Sequence, residues 1–232
     1  MVERSGIRSF VLRQGRMTPA QARAFTQHWP RYGLELSGAA QDFTCVFQRK
    51  APLVLEIGFG NGEALHHAAL HEPEKNFIGV EVHRPGVGRL LNVLAKDNLE
   101  NVRVFHKDAF EILDSEIAIG CLDEVRIYFP DPWPKQRHHK RRLVQPEFLS
   151  LLASRVRTGG LLHLATDWAE YAQFMQKILN DSTDWSNANS NGGFSARPDW
   201  RIETHFERRG GRLGHGSWDL IYLRKSQSPV AD

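Results

Sequence analysis

From Pro52 onward, short apolar runs alternate with stretches whose apolar positions recur every three or four residues. The apolar runs predict strands at Leu53–Ile57, Phe77–Val82, Val102–Phe105, Leu122–Phe129 and Leu161–Ala165. The helical periods fall between them, at Gly62–Leu70, Gly86–Ala95 and Pro146–Val156, with a further helix from Thr166-Asp167 to about Leu179. Strand, turn and helix repeated in this way imply right-handed βαβ units, hence an α/β fold with a mostly parallel sheet and helices on both faces. Upstream, Thr18-Pro19-Ala20-Gln21 has the order of an N-cap followed by proline at the first helical position. It predicts a short helix ending near His28, with residues 30–50 irregular. Downstream, a polar loop is expected over Asn180–Pro198, then two closing strands at Arg201–Phe206 and Trp218–Leu223. The expected organisation is a basic extension over residues 1–50, a main domain over 51–225 and a tail over 226–232.

With 232 residues, 41% of them hydrophobic, the chain can bury one generous α/β core. Net charge is only +3, but the cations are clustered: Arg4, Arg8, Arg13 and Arg16 face a single Glu3 at the N-terminus. Clustering of this kind points to a polyanionic partner more than the total does. Cys45 and Cys121 fit no metal-ligand or redox spacing, and no stretch approaches a membrane span or a signal sequence. A reduced, cytoplasmic setting with no metal and no membrane association is therefore expected.

Chemistry enters at Leu53-Val-Leu-Glu-Ile-Gly-Phe-Gly-Asn-Gly62, an apolar strand running into Gly58, Gly60 and Gly62. Glycines at a strand-to-helix turn let a ligand approach the backbone and meet helix N-terminal N–H groups. The dinucleotide fingerprint would need glycine at position 63, which is Glu63. The spacing, with Glu56 ahead of it, resembles instead the first motif of class I S-adenosylmethionine-dependent methyltransferases. Glu81 ends the second strand, where a carboxylate can accept both hydroxyls of a ribose. Asp108-Ala109 follows the third, where that superfamily places an acid against the adenine amino group. Successive acids at the carboxyl ends of parallel strands line the crevice in which such sheets bind ligands.

The fourth strand leads into Phe129-Pro-Asp-Pro-Trp-Pro-Lys135 and then Arg137-His-His-Lys-Arg-Arg142, with no acid between Asp131 and Glu147. Three prolines exclude a helix here and bias Phe129, Asp131 and Trp133 toward extended geometry, which predicts a rigid ledge. An aromatic face and an acceptor on a ledge suit a nucleobase, and the basic run suits its phosphates. Along nearly its whole length the chain resembles the bacterial tRNA (guanine-N7)-methyltransferases. The resemblance rests on Arg8-Ser-Phe-Val11 with Gly15-Arg-Met-Thr18, on Leu55-Glu-Ile-Gly-Phe-Gly60, and on Gly79-Val-Glu-Val-His83 with Pro85-Gly-Val-Gly88. It continues in Phe129-Pro-Asp-Pro-Trp133, the basic run, Ala165-Thr-Asp-Trp168 and Arg212-Leu-Gly-His-Gly216.

The resemblance implies a Rossmann-like sheet and methyl transfer from S-adenosylmethionine to the variable-loop guanosine of tRNA. It implies cofactor contacts at Glu56, Gly58, Gly60, Gly62, Glu81, Asp108, Ala109 and Asp131, with Asp131 also catalytic. Lys135, Asp167, Thr204, His205, Phe206 and Glu207 would hold the guanosine. Arg137, His138, His139, Lys140, Arg141 and Arg142 would hold RNA. A monomer or homodimer with no obligate protein partner is expected. An amino-methyltransferase is the first alternative, but its Asp/Asn-Pro-Pro-aromatic order differs from Asp131-Pro-Trp-Pro134. An inactive RNA-binding module of the same fold is the second, and it predicts decay of acids that are all present. Arg103 and Arg126 read as strand-flanking residues, and Trp168, Trp185, Trp200 and Trp218 as core or loop anchors.

Overall fold

The structure, a computed structural model, describes residues 16–203, Glu207 and residues 216–226. Helix α1 spans Pro19–Tyr32, strand β1 Gly33–Leu34 and α2 Phe43–Phe47. The α/β alternation follows as β2 (Leu53–Ile57), α3 (Glu63–His71), β3 (Asn76–Val80), α4 (Arg84–Lys96), β4 (Val102–Phe105), α5 (Ala109–Ser115) and β5 (Leu122–Tyr128). A 3₁₀ turn over Gln136–Arg141 precedes α6 (Pro146–Arg155), β6 (Val156–Thr166), α7 (Ala169–Asn180), β7 (Trp185–Asn187) and β8 (Trp218–Arg224). Together the strands make an eight-stranded sheet in the order β1-β4-β3-β2-β5-β6-β8-β7. The pairs from β1 to β6 are parallel, and β8 lies antiparallel to both β6 and β7.

One sheet face is apolar across its width. Leu55, Ile57, Ile78, Val125, Ile127, Leu162, Leu164 and Leu220 pack there with Ile112 and Leu113 of α5, Leu149 and Leu152 of α6, and Met175 and Leu179 of α7. The opposite face is divided. Its β4-β3-β2 half is covered by Ala24 of α1, Leu65 and Ala68 of α3, and Leu90, Leu91 and Leu94 of α4. Its β5-β6-β8 half carries Glu124, Arg126, Tyr128, His163 and Asp219, nearly all sealed from solvent. Buried polar groups persist only when their hydrogen bonds are made within the protein. Arg126 shows how: its Nε donates to Glu124 Oε1 at 2.6 Å, and its Nη2 donates to both oxygens of Glu72.

Several expectations need correction. Thr18 and Gln21 do form a reciprocal capping box. The helix they start, however, runs past His28 and through Pro30 to Tyr32. Tyr32 is fully buried and its hydroxyl donates to the Leu94 carbonyl at 3.1 Å. Tertiary packing therefore outweighs the donor lost at Pro30. Residues 30–50 are not irregular throughout, because β1 adds an edge strand beside β4 and α2 buries Phe43 and Phe47. The loop between them is tied down by Glu116, which accepts from the Ser37 and Gly38 backbone, the Ser37 hydroxyl and the Gln41 amide. Burial opposes ionisation of Glu116, yet these donors hold its carboxyl down at about 2. The second closing strand is β8, but its outer partner is Trp185–Asn187, inside the stretch expected to be a loop. Arg201, Ile202 and Glu203 are not in a strand, and residues 204–206 lie outside the described residues.

Candidate active site

Sheet order places the switch between β2 and β5, since the chain leaves β2 toward β3 and leaves β5 toward β6. Ligands of open parallel sheets bind outside the carboxyl ends at this point. Glu56 stands at the end of β2, Glu81 follows β3, Asp108 follows β4, Asp131 follows β5 and Asp167 follows β6. Five of the six acids expected from sequence thus share one edge, Glu207 being the sixth.

After β2 the backbone turns through Gly58, Gly60 and Gly62 at φ of 73°, 56° and 79°. The left-handed region disfavours any side chain, and at Gly62 a Cβ would also stand 2.7 Å from Leu90. Helix α4 crowds the turn from the other side, where a Cβ on Gly86 would meet the Gly60 carbonyl oxygen at 2.0 Å. Glu81 organises the same turn. Its Oε2 accepts from Gly60 N–H at 2.7 Å, and its Oε1 from the N–H groups of Val82 and His83 at 2.7 and 2.8 Å. A carboxylate so gripped is fixed in place at the rim. Asp108 caps α5 by accepting from Phe110 N–H at 2.8 Å, and Ala109 is buried in that helix's first turn.

Glu56 is the exceptional member. It is 2% exposed, and its Oε2 has no hydrogen-bond partner among the described residues. Arg126 stands opposite it in strand register but is committed to Glu124 and Glu72. Burial therefore dominates and raises the Glu56 carboxyl to about 7. A buried carboxylate oxygen without a donor, beside a glycine turn, suits a ligand that brings a cationic N–H donor. The methionine amino group of S-adenosylmethionine is such a donor, so these residues fit that cofactor.

Across the switch, the ledge is not the extended segment expected. Phe129 and Trp133 both precede proline, yet they adopt φ of 52° and 44°. Left-handed backbone at such residues costs roughly 1–3 kcal/mol each and is maintained only by surrounding contacts. Phe129 N–H donates to the Ala165 carbonyl at 2.8 Å, and the turn at Trp133 is held by Arg142. Its Nε donates to the Pro132 carbonyl at 2.8 Å, both Nη groups pair with the Glu170 carboxylate on α7, and its guanidinium lies 4.7 Å from the Tyr171 ring centroid. The Tyr171 hydroxyl in turn accepts from Val144 N–H. Arg142 was expected among the RNA contacts, but its side chain is fully buried. It clamps the ledge to α7 instead, just beyond Asp167.

The rest of the basic run differs. Arg137 and Lys140 are exposed, His138 and His139 are half-buried, and none of the residues Gln136–Arg141 is buried. Arg141 stacks its guanidinium 4.0 Å from the Trp133 ring centroid. His138 lies against the same ring, and the surrounding cations, after burial, push it below its ordinary pKa. Lys135 is exposed at the start of the 3₁₀ turn. Thr204, His205 and Phe206 lie outside the described residues. Glu207 is described and buried, gripped at both oxygens by Arg201. Sequence reasoning passed over Arg201, which no local motif marks. Trp185 is a core anchor and Trp168 packs on the core, whereas Trp200 is 44% exposed. No helix among the described residues is long and apolar enough to cross a membrane, and no cluster there could hold a metal ion.

Among solved structures, this fold is similar to a 16S rRNA methyltransferase, KamB. The TM-score is 0.57 at 14% identity, over 81% of this chain and 95% of the other. A family model described as "Putative methyltransferase" matches residues 50–220. The chain is 60% identical over 223 residues to a tRNA (guanine-N(7)-)-methyltransferase of Xanthomonas campestris pv. campestris, covering 96% of this chain and 85% of that protein. It is 56% identical to the enzyme of the same name from Xylella fastidiosa, covering 95% and 91%. On this evidence of sequence and fold, the chain belongs to the tRNA (guanine-N7)-methyltransferase family.

Proposed function

We propose that this protein transfers a methyl group from S-adenosylmethionine to N7 of a guanosine in tRNA, forming 7-methylguanosine in the variable loop. The observation that carries the reading is the switch-point edge: the partnerless Glu56 oxygen and the Glu81-held glycine turn on one side, the strained Asp131 ledge on the other. The choice of tRNA is supported by the relatives' names and by the exposed cations beyond the ledge.

In this reading Glu56, Gly58, Gly60, Gly62, Glu81, Asp108 and Ala109 hold the cofactor. When bound, S-adenosylmethionine supplies an electrophilic sulfonium methyl, which guanine N7 can take with its lone pair and no prior loss of a proton. Asp131 therefore has no proton to abstract and serves to orient the reactants. Alignment of two reactants is worth up to ~7–11 kcal/mol in favourable systems. Lys135, Asp167 and Glu207 hold the guanosine, and Arg137, Lys140 and Arg141 meet phosphates, with Arg142 supporting the ledge from behind. Such an enzyme works in the cytoplasm, where its tRNA and cofactor are.

Incubation with methyl-labelled S-adenosylmethionine and unmodified tRNA, followed by nucleoside analysis, tests the proposal. Label in 7-methylguanosine is the expected result; label on an exocyclic nitrogen, or none in tRNA, overturns it.

A further inference from the structure

The β5-β6-β8 half of the sheet face carries a continuous row of buried polar groups. The Tyr128 hydroxyl of β5 and His163 Nδ1 of β6 lie 3.0 Å apart, and His163 Nε2 lies 2.7 Å from Asp219 Oδ1 of β8. Burial, the leading influence, pushes His163 below its ordinary pKa. With His163 neutral, one arrangement satisfies both contacts: Nε2–H donates to Asp219 and Nδ1 accepts from Tyr128. Arg201 closes the row. Its Nε and Nη2 donate to the two oxygens of Asp219 at 2.7 and 2.8 Å, and its Nη1 and Nη2 donate to the two oxygens of Glu207 at 2.6 and 2.7 Å. The guanidinium also lies over the rings of Tyr128 and Phe129, at 5.8 and 5.7 Å from their centroids. Phe129 begins the strained ledge that bears Asp131.

We infer that Arg201 is a positioning residue of the methyl-transfer reaction, holding Glu207 ionised and fixed for the guanine base while Asp219, His163 and Tyr128 hold Arg201. The inference rests on the functional reading above. Two N–H donors on a carboxylate favour its charged form, and a charged carboxylate can accept from both N1–H and the 2-amino group of guanine. Adenine presents an acceptor at N1, so the same carboxylate would discriminate against it. A lysine in place of Arg201 keeps the charge but cannot span two carboxylates with a planar fork. A clamp resting on β5, β6 and β8 ties the guanine acceptor to the strand that delivers Asp131, which keeps the two sides of the reaction in register.

The test is a double-mutant cycle on the full chain with Arg201→Gln, Glu207→Gln and the double variant, with Arg201→Lys as the partial rescue. Kinetics on tRNA are read beside calorimetric S-adenosylmethionine affinity and thermal melting. Arg201→Gln should lower kcat/KM for tRNA on the order of ten- to hundredfold, while cofactor affinity stays within about twofold. Arg201→Lys should recover part of the loss. The double variant should be no worse than about threefold below Glu207→Gln alone, since both changes remove one interaction. Should Arg201→Gln fail to fold, Tyr128→Phe removes only the far end of the row and should give a smaller loss with the same selectivity for tRNA over cofactor. Multiplicative losses in an enzyme whose wild type forms 7-methylguanosine overturn this inference alone. A wild type that forms none overturns the functional reading and this inference with it.

Discussion

The two sides of the switch-point edge are built by different means. On the cofactor side, order comes from the backbone: three glycines at positive φ, and three backbone N–H groups converging on Glu81 from Gly60, Val82 and His83. On the substrate side, order comes from buried arginines. Arg142 joins the irregular ledge to Glu170 on α7, and Arg201 joins Glu207 to Asp219 on β8. A local backbone device can be read as a motif. A side-chain ion pair cannot, because its partner is chosen by the fold.

The largest effect is expected at Asp131, where the two sides meet. Asp131→Ala should lower kcat about a hundred- to thousandfold, as loss of one pre-organised charged group does elsewhere, while Asp131→Asn retains part of the rate. Single-turnover rates should show no decline as pH falls through neutrality; two equally dead variants with an acid-limited rate would instead indicate proton abstraction.

Glu56 sharpens the cofactor half of the comparison through stability. Its folded-state carboxyl titrates at about 7 against 4.5 for the unconstrained group, so the folded state holds the proton more tightly. Its contribution is therefore fully present below pH about 4.5 and is lost as pH rises through about 7, by roughly 3 kcal/mol in the free protein. Denaturant unfolding across that window should show this decline, and Glu56→Gln should flatten it. An unchanged slope in the variant would mean that Glu56 is not the buried group responsible.

Glu81→Ala should weaken S-adenosylmethionine binding by about ten- to hundredfold, roughly 1.5–3 kcal/mol, because it frees the turn as well as removing an acceptor. Calorimetry checks this, with tRNA affinity in the absence of cofactor as the control.

The smallest effect separates the cations of the basic run. Replacing Arg137, Lys140 and Arg141 by Ala should reduce the slope of log K against log salt for tRNA by about 2–3, at about 0.7–0.9 per phosphate contact. Arg142→Ala should leave that slope unchanged and lower thermal stability by about 1–2 kcal/mol, Glu170 being half exposed. A reduced slope for Arg142→Ala would return it to the RNA-contact set.

Much of this was legible in the chain itself. The parallel strands announced themselves because strands covered on both faces are buried at every position and so read as near-continuous apolar runs, as in Leu53–Ile57 and Asn76–Val80. Short edge strands were not legible: Gly33–Leu34 and Trp185–Asn187 are too brief to carry a period, and only their partners make them strands. Phe129 and Trp133 were read from the rule for residues before proline, and tertiary contacts override that rule, the Ala165 carbonyl at Phe129 and the Arg142 clamp beside Trp133.

Sequence alone determined the architecture of the cofactor half: the glycine spacing, the acids at successive strand ends and the family motifs are local, and local geometry follows from residue type. Tertiary structure alone decided what each cation does. Arg141 and Arg142 are neighbours with one chemistry, yet one stacks on Trp133 beside the exposed cations and the other is sealed behind the ledge. The reason is physical: a guanidinium's role is set by the carboxylates and rings that desolvate and pair with it, and those come from distant strands and helices assembled only when the sheet closes.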